Sequence, residues 1–146
     1  MGYTHYFELK GKKDVNLDEV QKDVQKVLVN NLNLIQRECD NDSTPACHID
    51  SNGDLTVVFN GIGDMGHETF YFNTNELTYN FCKTARKPYD EVVCKVLLIL
   101  KKHFGDAISV SSDGMSGDIE DVMTLKGDSH SNGWEVASEY MRENFS

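Results

Sequence analysis

The first long pattern along the chain has a helical period. Val20, Val24, Val27 and Leu28 recur at intervals of three and four residues, which is the spacing of one helix face. Asn16 lies just before them and has the side chain of an N-terminal cap. We therefore expect a helix over residues 17–38.

A second helical pattern is almost wholly apolar. Every residue from Val92 to Leu100 except Lys95 is hydrophobic, and Pro88 suits a first helical position. This predicts a central helix that is buried on more than one side. A short helix is expected near residues 118–124, and a final amphipathic helix that contains Trp134 is expected to begin at Asn132.

Segments rich in β-branched and aromatic residues predict five strands, over residues 4–11, 47–50, 54–60, 68–72 and 107–111. Residues 73–80 are polar and are expected to form a loop. The predicted order is β-α-β-β-β-α-β-α-α, which indicates an α+β fold with α/β-like features. We expect one sheet packed on the central helix, and one domain over residues 1–146.

Composition restricts the class of protein. The 146 residues are 39% hydrophobic and 10% aromatic, which is typical of a globular domain. No apolar run approaches the length of a membrane span and no leader pattern is present, so we expect a cytoplasmic protein without membrane contact. The four cysteines, Cys39, Cys47, Cys82 and Cys94, contain no C-x-x-C pair. We expect free thiols, no metal and no cofactor.

The formal net charge of −10 argues against duplex nucleic acid as a partner, because phosphates would be repelled. The charge is compatible with solubility alone. It is also compatible with an acidic surface that occupies the basic groove of a host protein.

The stretch NGIGDMGHETFYF places Gly61, Gly63 and Gly66 at G-x-G-x-x-G spacing. A dinucleotide fingerprint of this kind needs a helix after it, but the residues that follow predict a strand. We therefore expect a hairpin loop whose glycines supply positive φ angles.

The stretch FCKTARKPYD gathers Lys83, Arg86 and Lys87 just before the start of the central helix. Cations are unfavourable at a helix N-terminus, so a negative group should compensate them. Two alternatives remain open: pairing with the protein's own carboxylates, of which we considered Asp64, Glu68 and Asp113, or a bound anion.

A second polar loop, Ser111-Ser112-Asp113-Gly114, follows a predicted strand. Ligands of open α/β sheets bind at such places, and short hydroxyl side chains suit a phosphate or a ribose. Asp113 could also orient His67 as a general base. A simple turn before a helix is the alternative.

The strings GDMGHETFYF, FCKTARKPYDEVVCKVLLILKKHF and ISVSSDG, between Val57 and Gly114, resemble a group of small uncharacterised proteins of bacteriophages and bacteria. The resemblance implies a phage or prophage setting, hence the cytoplasm of an infected or lysogenic bacterium. It implies no activity.

Three functions are compatible with these patterns. The preferred hypothesis is a binding protein, not an enzyme, that recognises an anionic small molecule such as a nucleotide or signalling nucleotide and sequesters it to counter host defence. Phe81 or Tyr89 would stack on the base. The first alternative is a phosphoester or nucleotide hydrolase with His67 as acid or base, and the second is an acidic protein that inhibits a host enzyme. The predicted ligand-binding residues are His67, Lys83, Thr84, Arg86, Lys87, Tyr89, Ser111, Ser112 and Asp113.

Overall fold

The computed structural model describes residues 3–11, 14–37, 44–113 and 132–145. The helices and strands in these ranges confirm the α+β class. The strands are β1 (Thr4–Leu9), β2 (Ile35–Gln36), β3 (Ala46–Ile49), β4 (Leu55–Gly61), β5 (Phe70–Asn73), β6 (Tyr79–Lys83) and β7 (Ile108–Ser112). The α-helices are α1 (Leu17–Val29), α2 (Asp90–Phe104) and α3 (Asn132–Phe145).

The strands form two antiparallel sheets rather than the one sheet that we expected. Sheet 1 has the order β6-β1-β7, with β1 at its centre. Sheet 2 is built around β4, which pairs with β2, β3 and β5. The order of elements along the chain could not reveal this division, because β1 pairs with two strands that come much later in the sequence.

Helix α2 is the centre of the hydrophobic core, which confirms the predicted burial. Leu97, Leu98, Ile99 and Leu100 are all 0% exposed, so side chains around the helix are enclosed. The helix packs against α1 and α3, and residues of both sheets belong to the same core. Each such aliphatic side chain contributes roughly 1.5–3 kcal/mol by leaving water.

Helix α1 ends at Val29, well before the predicted end. The side-chain amide of Asn31 donates to the Val27 carbonyl oxygen at 2.7 Å, and the chain then turns. Ile35, which lies within the range predicted to be helical, is buried in β2, where it pairs with Gly61. Ile35 is therefore a core residue of β2 and not of α1.

Strand β6 was not predicted: it begins within the segment expected to be a polar loop, residues 73–80, and continues to Lys83. Its side chains alternate: Cys82 is buried, whereas Tyr79 and Phe81 point to solvent. Helix α3 begins at Asn132 as predicted, and the short helix expected near residues 118–124 lies outside the described residues. Within the described ranges, no helix combines the length and the apolar character that crossing a bilayer requires.

Candidate functional site

One side of sheet 1 is turned away from the core and carries a regular grid of side chains. Tyr6 of β1 is paired with Phe81 of β6 and with Ser111 of β7. Residues that are paired across strands project from the same side of a sheet, and so do residues two apart along one strand. We call this surface the outer face. Its exposed and half-buried residues are Tyr6, Glu8, Tyr79, Phe81, Lys83, Ser109 and Ser111.

Aromatic side chains dominate one half of the outer face. Tyr79 is 57% exposed and Phe81 is 51% exposed, although both are large and apolar. The rings of Tyr6 and Tyr79 stack with their centroids 6.2 Å apart. A shallow cavity of about 100 Å³ lies between these two rings and the hydroxyl-bearing strand β7. Flat exposed rings on a sheet are the usual surface on which proteins stack nucleobases.

Lys83 lies at one end of the outer face. Its ammonium nitrogen is 5.8 Å from the centroid of the Phe81 ring, so the cation and the exposed aromatic side chain are neighbours. Glu8 lies at the other end, paired with Tyr79. The outer face is therefore positive at one end and negative at the other.

Arg86 lies just beyond the same end of sheet 1. Its guanidinium carbon is 4.0 Å from the centroid of the Tyr3 ring, which is a cation–π contact. Arg86 is exposed and Lys87 is half-buried. The structure thus places Lys83, Arg86 and Lys87 around one end of the sheet rather than in one enclosed pocket.

The turn that holds Arg86 is conformationally unusual. Ala85 has φ 54° and Arg86 has φ 58°, and the Lys87 N–H donates to the Thr84 carbonyl oxygen at 3.0 Å. Two successive left-handed residues form the type of turn that normally contains Asn and Gly. Each left-handed side-chain-bearing residue costs about 1–2 kcal/mol. The surrounding structure therefore imposes a strained conformation on this basic turn.

Two of the three carboxylates that we considered as partners of the cations, Glu68 and Asp113, accept hydrogen bonds from backbone N–H groups. A Glu68 carboxylate oxygen accepts from the backbone N–H of Lys83 at 2.8 Å, and an Asp113 carboxylate oxygen accepts from the backbone N–H of Thr4 at 3.1 Å. Among the described residues, no carboxylate forms an ion pair with the side chain of Lys83, Arg86 or Lys87. Internal charge pairing is thus not observed in this part of the chain.

Three predicted ligand-binding residues are directed into the protein instead. Thr84 is 0% exposed and its hydroxyl donates to an Asp90 carboxylate oxygen at 2.6 Å. Tyr89 is also 0% exposed, and its hydroxyl donates to the Glu68 carbonyl oxygen. Ser112 projects from the side of sheet 1 opposite to Ser111. These three residues stabilise the interior and cannot contact a ligand on the outer face.

His67 lies in the loop between β4 and β5, and its side chain is exposed. Its backbone N–H and carbonyl oxygen both bond to the Asn60 side chain, at 3.0 and 2.9 Å. Asp113 forms no hydrogen bond with its imidazole, and the Asp113 carboxylate accepts from the Thr4 backbone N–H instead. The predicted general base therefore has no partner of that kind among the described residues.

The three glycines of the G-x-G-x-x-G spacing lie at the end of β4 and in the same loop. Only Gly63 has a positive φ, of 52°. A Cβ on Gly61 would lie 2.2 Å from the Met65 carbonyl oxygen, and one on Gly66 would lie 2.5 Å from the Gly61 carbonyl oxygen. The loop is a tightly packed hairpin connection, and two of its glycines are required by close approach rather than by φ.

A buried polar cluster lies on the inner side of sheet 1. A His5 imidazole nitrogen, Nε2, is hydrogen-bonded to an Asp90 carboxylate oxygen at 2.6 Å, and the other, Nδ1, is hydrogen-bonded to the Ser112 hydroxyl at 2.7 Å. The Trp134 indole N–H donates to that hydroxyl at 3.1 Å. The hydrogen bonds thus connect β1, β7, α2 and α3.

Cys94 completes the cluster one helical turn after Asp90. Its sulfur lies 3.8 Å from His5 Nε2 and 3.8 Å from the second carboxylate oxygen of Asp90. Burial raises the pKa of the Cys94 thiol well above its ordinary value, and the Asp90 charge adds to this effect. A thiol that keeps its proton is a poor nucleophile, so the cluster is not arranged for thiolate catalysis.

Ser112, His5 and Asp90 are connected by hydrogen bonds in the same way as the nucleophile, base and acid of a hydrolase triad. However, His5 is 0% exposed and the Ser112 hydroxyl already accepts the Trp134 N–H. A substrate has no direct access to the imidazole. The cluster therefore does not provide a hydrolase site in this conformation.

His5, Asp90 and Tyr6 were not among the ligand-binding residues predicted from the sequence. His5 and Asp90 come from distant parts of the chain, and no local spacing indicates that they meet. Tyr6 could have been found, because a strand over residues 4–11 was predicted and the residues on either side of Tyr6 alternate with it.

In comparisons with family models, curated proteins and solved structures, none matches the chain. The candidate site therefore depends on the geometry described above.

Proposed function

We propose that the protein binds a nucleotide or a closely related anionic molecule on the outer face of sheet 1, without altering it chemically. One observation carries the proposal: exposed aromatic rings lie next to a cation that forms no ion pair with a described carboxylate. Phe81 and Lys83 are two residues apart on one strand and their side chains are in contact range.

The aromatic half of the outer face suits a base. The rings of Tyr6, Tyr79 and Phe81 offer stacking surfaces, and the hydroxyls of Ser109 and Ser111 face them from the other edge strand. Stacking on an aromatic side chain contributes about 1–3 kcal/mol per base and tolerates any base. Hydroxyl groups can bond to a ribose or to the edge of a base.

The basic end of the outer face suits a phosphate. Lys83 provides an ammonium group at the end of the stacking surface. Arg86 and Lys87 lie beyond this end on the adjoining turn, where Arg86 is stacked on Tyr3. A phosphate that is bound there would compensate charges that the described carboxylates leave unpaired. The separation of base and phosphate functions along one strand favours a mononucleotide or short oligonucleotide over duplex nucleic acid, which a net charge of −10 would repel.

The binding role is better supported than hydrolysis. Among the described residues, neither His67 nor the buried cluster offers a nucleophile and base that a ligand on the outer face could reach. In the phage setting that the sequence resemblance suggests, tight binding alone would sequester a host signalling nucleotide.

The proposal is tested by calorimetric titration of the purified protein with a panel of mononucleotides and cyclic nucleotides. We expect at least one to bind, and Phe81→Ala to weaken that binding by roughly 5- to 150-fold, which corresponds to the loss of one stacking contact. Lys83→Ala should weaken binding and reduce its dependence on salt.

Tyr71→Ala is the matched control, because Tyr71 is an aromatic residue on sheet 2 that is 39% exposed. The Tyr71→Ala variant should bind the nucleotide with the same affinity as the unmodified protein. If no nucleotide binds, or if Tyr71→Ala and Phe81→Ala have equal effects, the outer face is not the binding site.

A further inference from the structure

We infer that His5, Asp90 and Cys94 form a binding site for a transition-metal ion of the Zn²⁺ class. The three residues offer an imidazole nitrogen, a carboxylate oxygen and a thiolate sulfur, all within 4.8 Å of one another. This mixture of ligands suits zinc better than magnesium or calcium, which prefer oxygen ligands alone. The inference is independent of the proposed nucleotide site, which lies on the other side of sheet 1.

The distances are close to those that one ion requires. Ligands at about 2.0–2.3 Å from a tetrahedral zinc ion lie about 3.3–3.6 Å from one another. The Cys94 sulfur is 3.8 Å from His5 Nε2 and 3.8 Å from the Asp90 Oδ2 atom. His5 Nε2 and Asp90 Oδ1 are closer, at 2.6 Å, because a proton lies between them. A shift of less than about 1 Å would admit the ion.

Helix α2 supplies two of the ligands in the correct relation. Asp90 and Cys94 are four residues apart, so they lie on the same side of the helix and face β1, which carries His5. The helix and the central strand are both rigid parts of the core. A site on such elements is already organised before the metal arrives, which reduces the entropy that binding must remove.

The surroundings of the three residues resemble the outer shell of a metal site. The Ser112 oxygen has two lone pairs: one accepts a hydrogen bond from the Trp134 N–H, and the other can accept one from the His5 Nδ1–H. In that tautomer Nε2 presents its lone pair to Asp90 and Cys94. The Thr84 hydroxyl holds Asp90 Oδ1, which leaves Oδ2 beside the sulfur. Hydrogen bonds of this kind orient metal ligands in many proteins.

Helix α3 closes the site with a residue that has no side chain. A Cβ on Gly133 would lie 2.3 Å from Asp90 Oδ2 and 3.2 Å from the Cys94 sulfur. Any larger residue would therefore clash with the two ligand atoms, so only glycine allows α3 to pack this closely against them. Three protein ligands leave a fourth position of the ion for a solvent molecule.

Metal binding would change the protonation of the cluster in a defined way. The proton of the Cys94 thiol and the proton shared by His5 and Asp90 would be displaced by the ion and released to solvent. The ion would then neutralise the charges of the thiolate and the carboxylate, which are otherwise costly to bury. No electron transfer or further reactant is needed.

Titration of the chelator-treated full chain with Co²⁺ alone tests the inference. We expect about one equivalent to bind and to give the near-ultraviolet sulfur-to-cobalt absorption of a thiolate ligand. The Cys94→Ala variant should lack this absorption, and its affinity for Co²⁺ should be at least tenfold lower. Cys82→Ala is the matched control, because Cys82 is equally buried, at 0% exposed, but lies outside the ligand set. The Cys82→Ala variant should retain both the absorption and the affinity for Co²⁺.

Zn²⁺ at a hundredfold excess over its dissociation constant should raise the Tm of the unmodified protein and of Cys82→Ala by roughly 5–10 °C. The inference is overturned if the unmodified protein takes up neither ion, or if Cys94→Ala binds Co²⁺ as well as Cys82→Ala does. Should Cys94→Ala fail to fold, X-ray absorption of the zinc-loaded unmodified protein decides: one sulfur at about 2.3 Å supports the site, and its absence contradicts it.

Discussion

The two sides of sheet 1 are built from neighbouring residues but have opposite character. His5 is 0% exposed and hydrogen-bonded at both ring nitrogens, whereas Tyr6, the next residue, belongs to the outer face. Ser112 and Ser111 differ in the same way on β7. The alternation of a strand thus sends one residue into a polar interior cluster and the next to a surface that can receive a ligand.

The difference shows that adjacency in sequence is a poor guide to a shared site in this fold. We grouped Ser111 with Ser112, and Lys83 with Thr84, because they are consecutive. The structure assigns one member of each pair to the outer face and the other to the interior. Stability should therefore depend on the inner side of the sheet and ligand affinity on the outer face.

The largest effect is expected at Asp90. Asp90→Ala removes a buried carboxylate that is hydrogen-bonded to His5 and Thr84, so two polar groups lose their partner. In chelator-treated protein we expect a loss of about 3–5 kcal/mol in the free energy of unfolding, measured with urea. Glu91→Ala, in the same helical turn but less buried, should cost only about 0.3–1 kcal/mol. Equal effects would contradict the structural importance of the cluster.

The adjacent serines provide the sharpest comparison of the two sides. Ser112→Ala leaves the Trp134 N–H without its acceptor and His5 Nδ1 without its partner, so we expect a loss of about 1–3 kcal/mol in unfolding free energy. Ser111→Ala should change stability by less than about 0.5 kcal/mol. For ligand affinity the order should be reversed, as calorimetric titration would show. A larger loss of stability in Ser111→Ala would mean that the two sides are wrongly assigned.

Alkaline pH should weaken the interior selectively. Burial raises the pKa of Cys82 from 9.0 to about 12, and the same cause raises the pKa of Cys47 from 9.0 to about 12. The folded state therefore retains protons that the unfolded state loses above pH 9, so stability is complete below about pH 9 and falls between about pH 9 and 12. Thermal unfolding measured across this range should show the decline.

Cys82→Ala should make that decline shallower, because one of the retained protons is removed. A Tm that stays constant from pH 9 to pH 11 would be incompatible with buried, protonated thiols at these positions.

The smallest effect is expected at the strained basic turn. Ala85→Gly should relieve the cost of a left-handed residue, partly offset by the greater freedom of glycine in the unfolded chain. We expect a gain of about 0.5–1 kcal/mol in unfolding free energy, with ligand affinity little changed. Ala107→Gly is the control, since Ala107 has no positive φ, and it should be destabilising. A destabilised Ala85→Gly would show that the turn is not strained.

The sequence allowed the main elements of the fold to be predicted. The apolar run from Val92 to Leu100 identified the buried helix, and the predicted strands at residues 4–11 and 107–111 correspond to β1 and β7. Strand β6 was missed because its exposed residues are aromatic and its one fully buried side chain is Cys82. Because β6 contributes Tyr79 and Phe81 to the outer face, the aromatic surface of that face could not be predicted from the sequence.

The candidate sites were less predictable than the fold. The basic character of the segment around Arg86 was evident, but its contact with Tyr3 depends on a left-handed turn that the residues Ala85 and Arg86 do not favour. The buried cluster depends on His5 meeting Asp90 across the fold, and no spacing along the chain encodes that contact.

Chemical-shift mapping tests the central claim most directly. Amide resonances of the isotope-labelled protein would be followed during titration with the nucleotide that binds most tightly. We predict that the shifted resonances belong to the outer face, with Tyr6, Phe81 and Ser111 among them, while those of Thr56 to Phe59 in sheet 2 remain in place. Shifts confined to sheet 2, or no shifts at saturating nucleotide, would contradict the account.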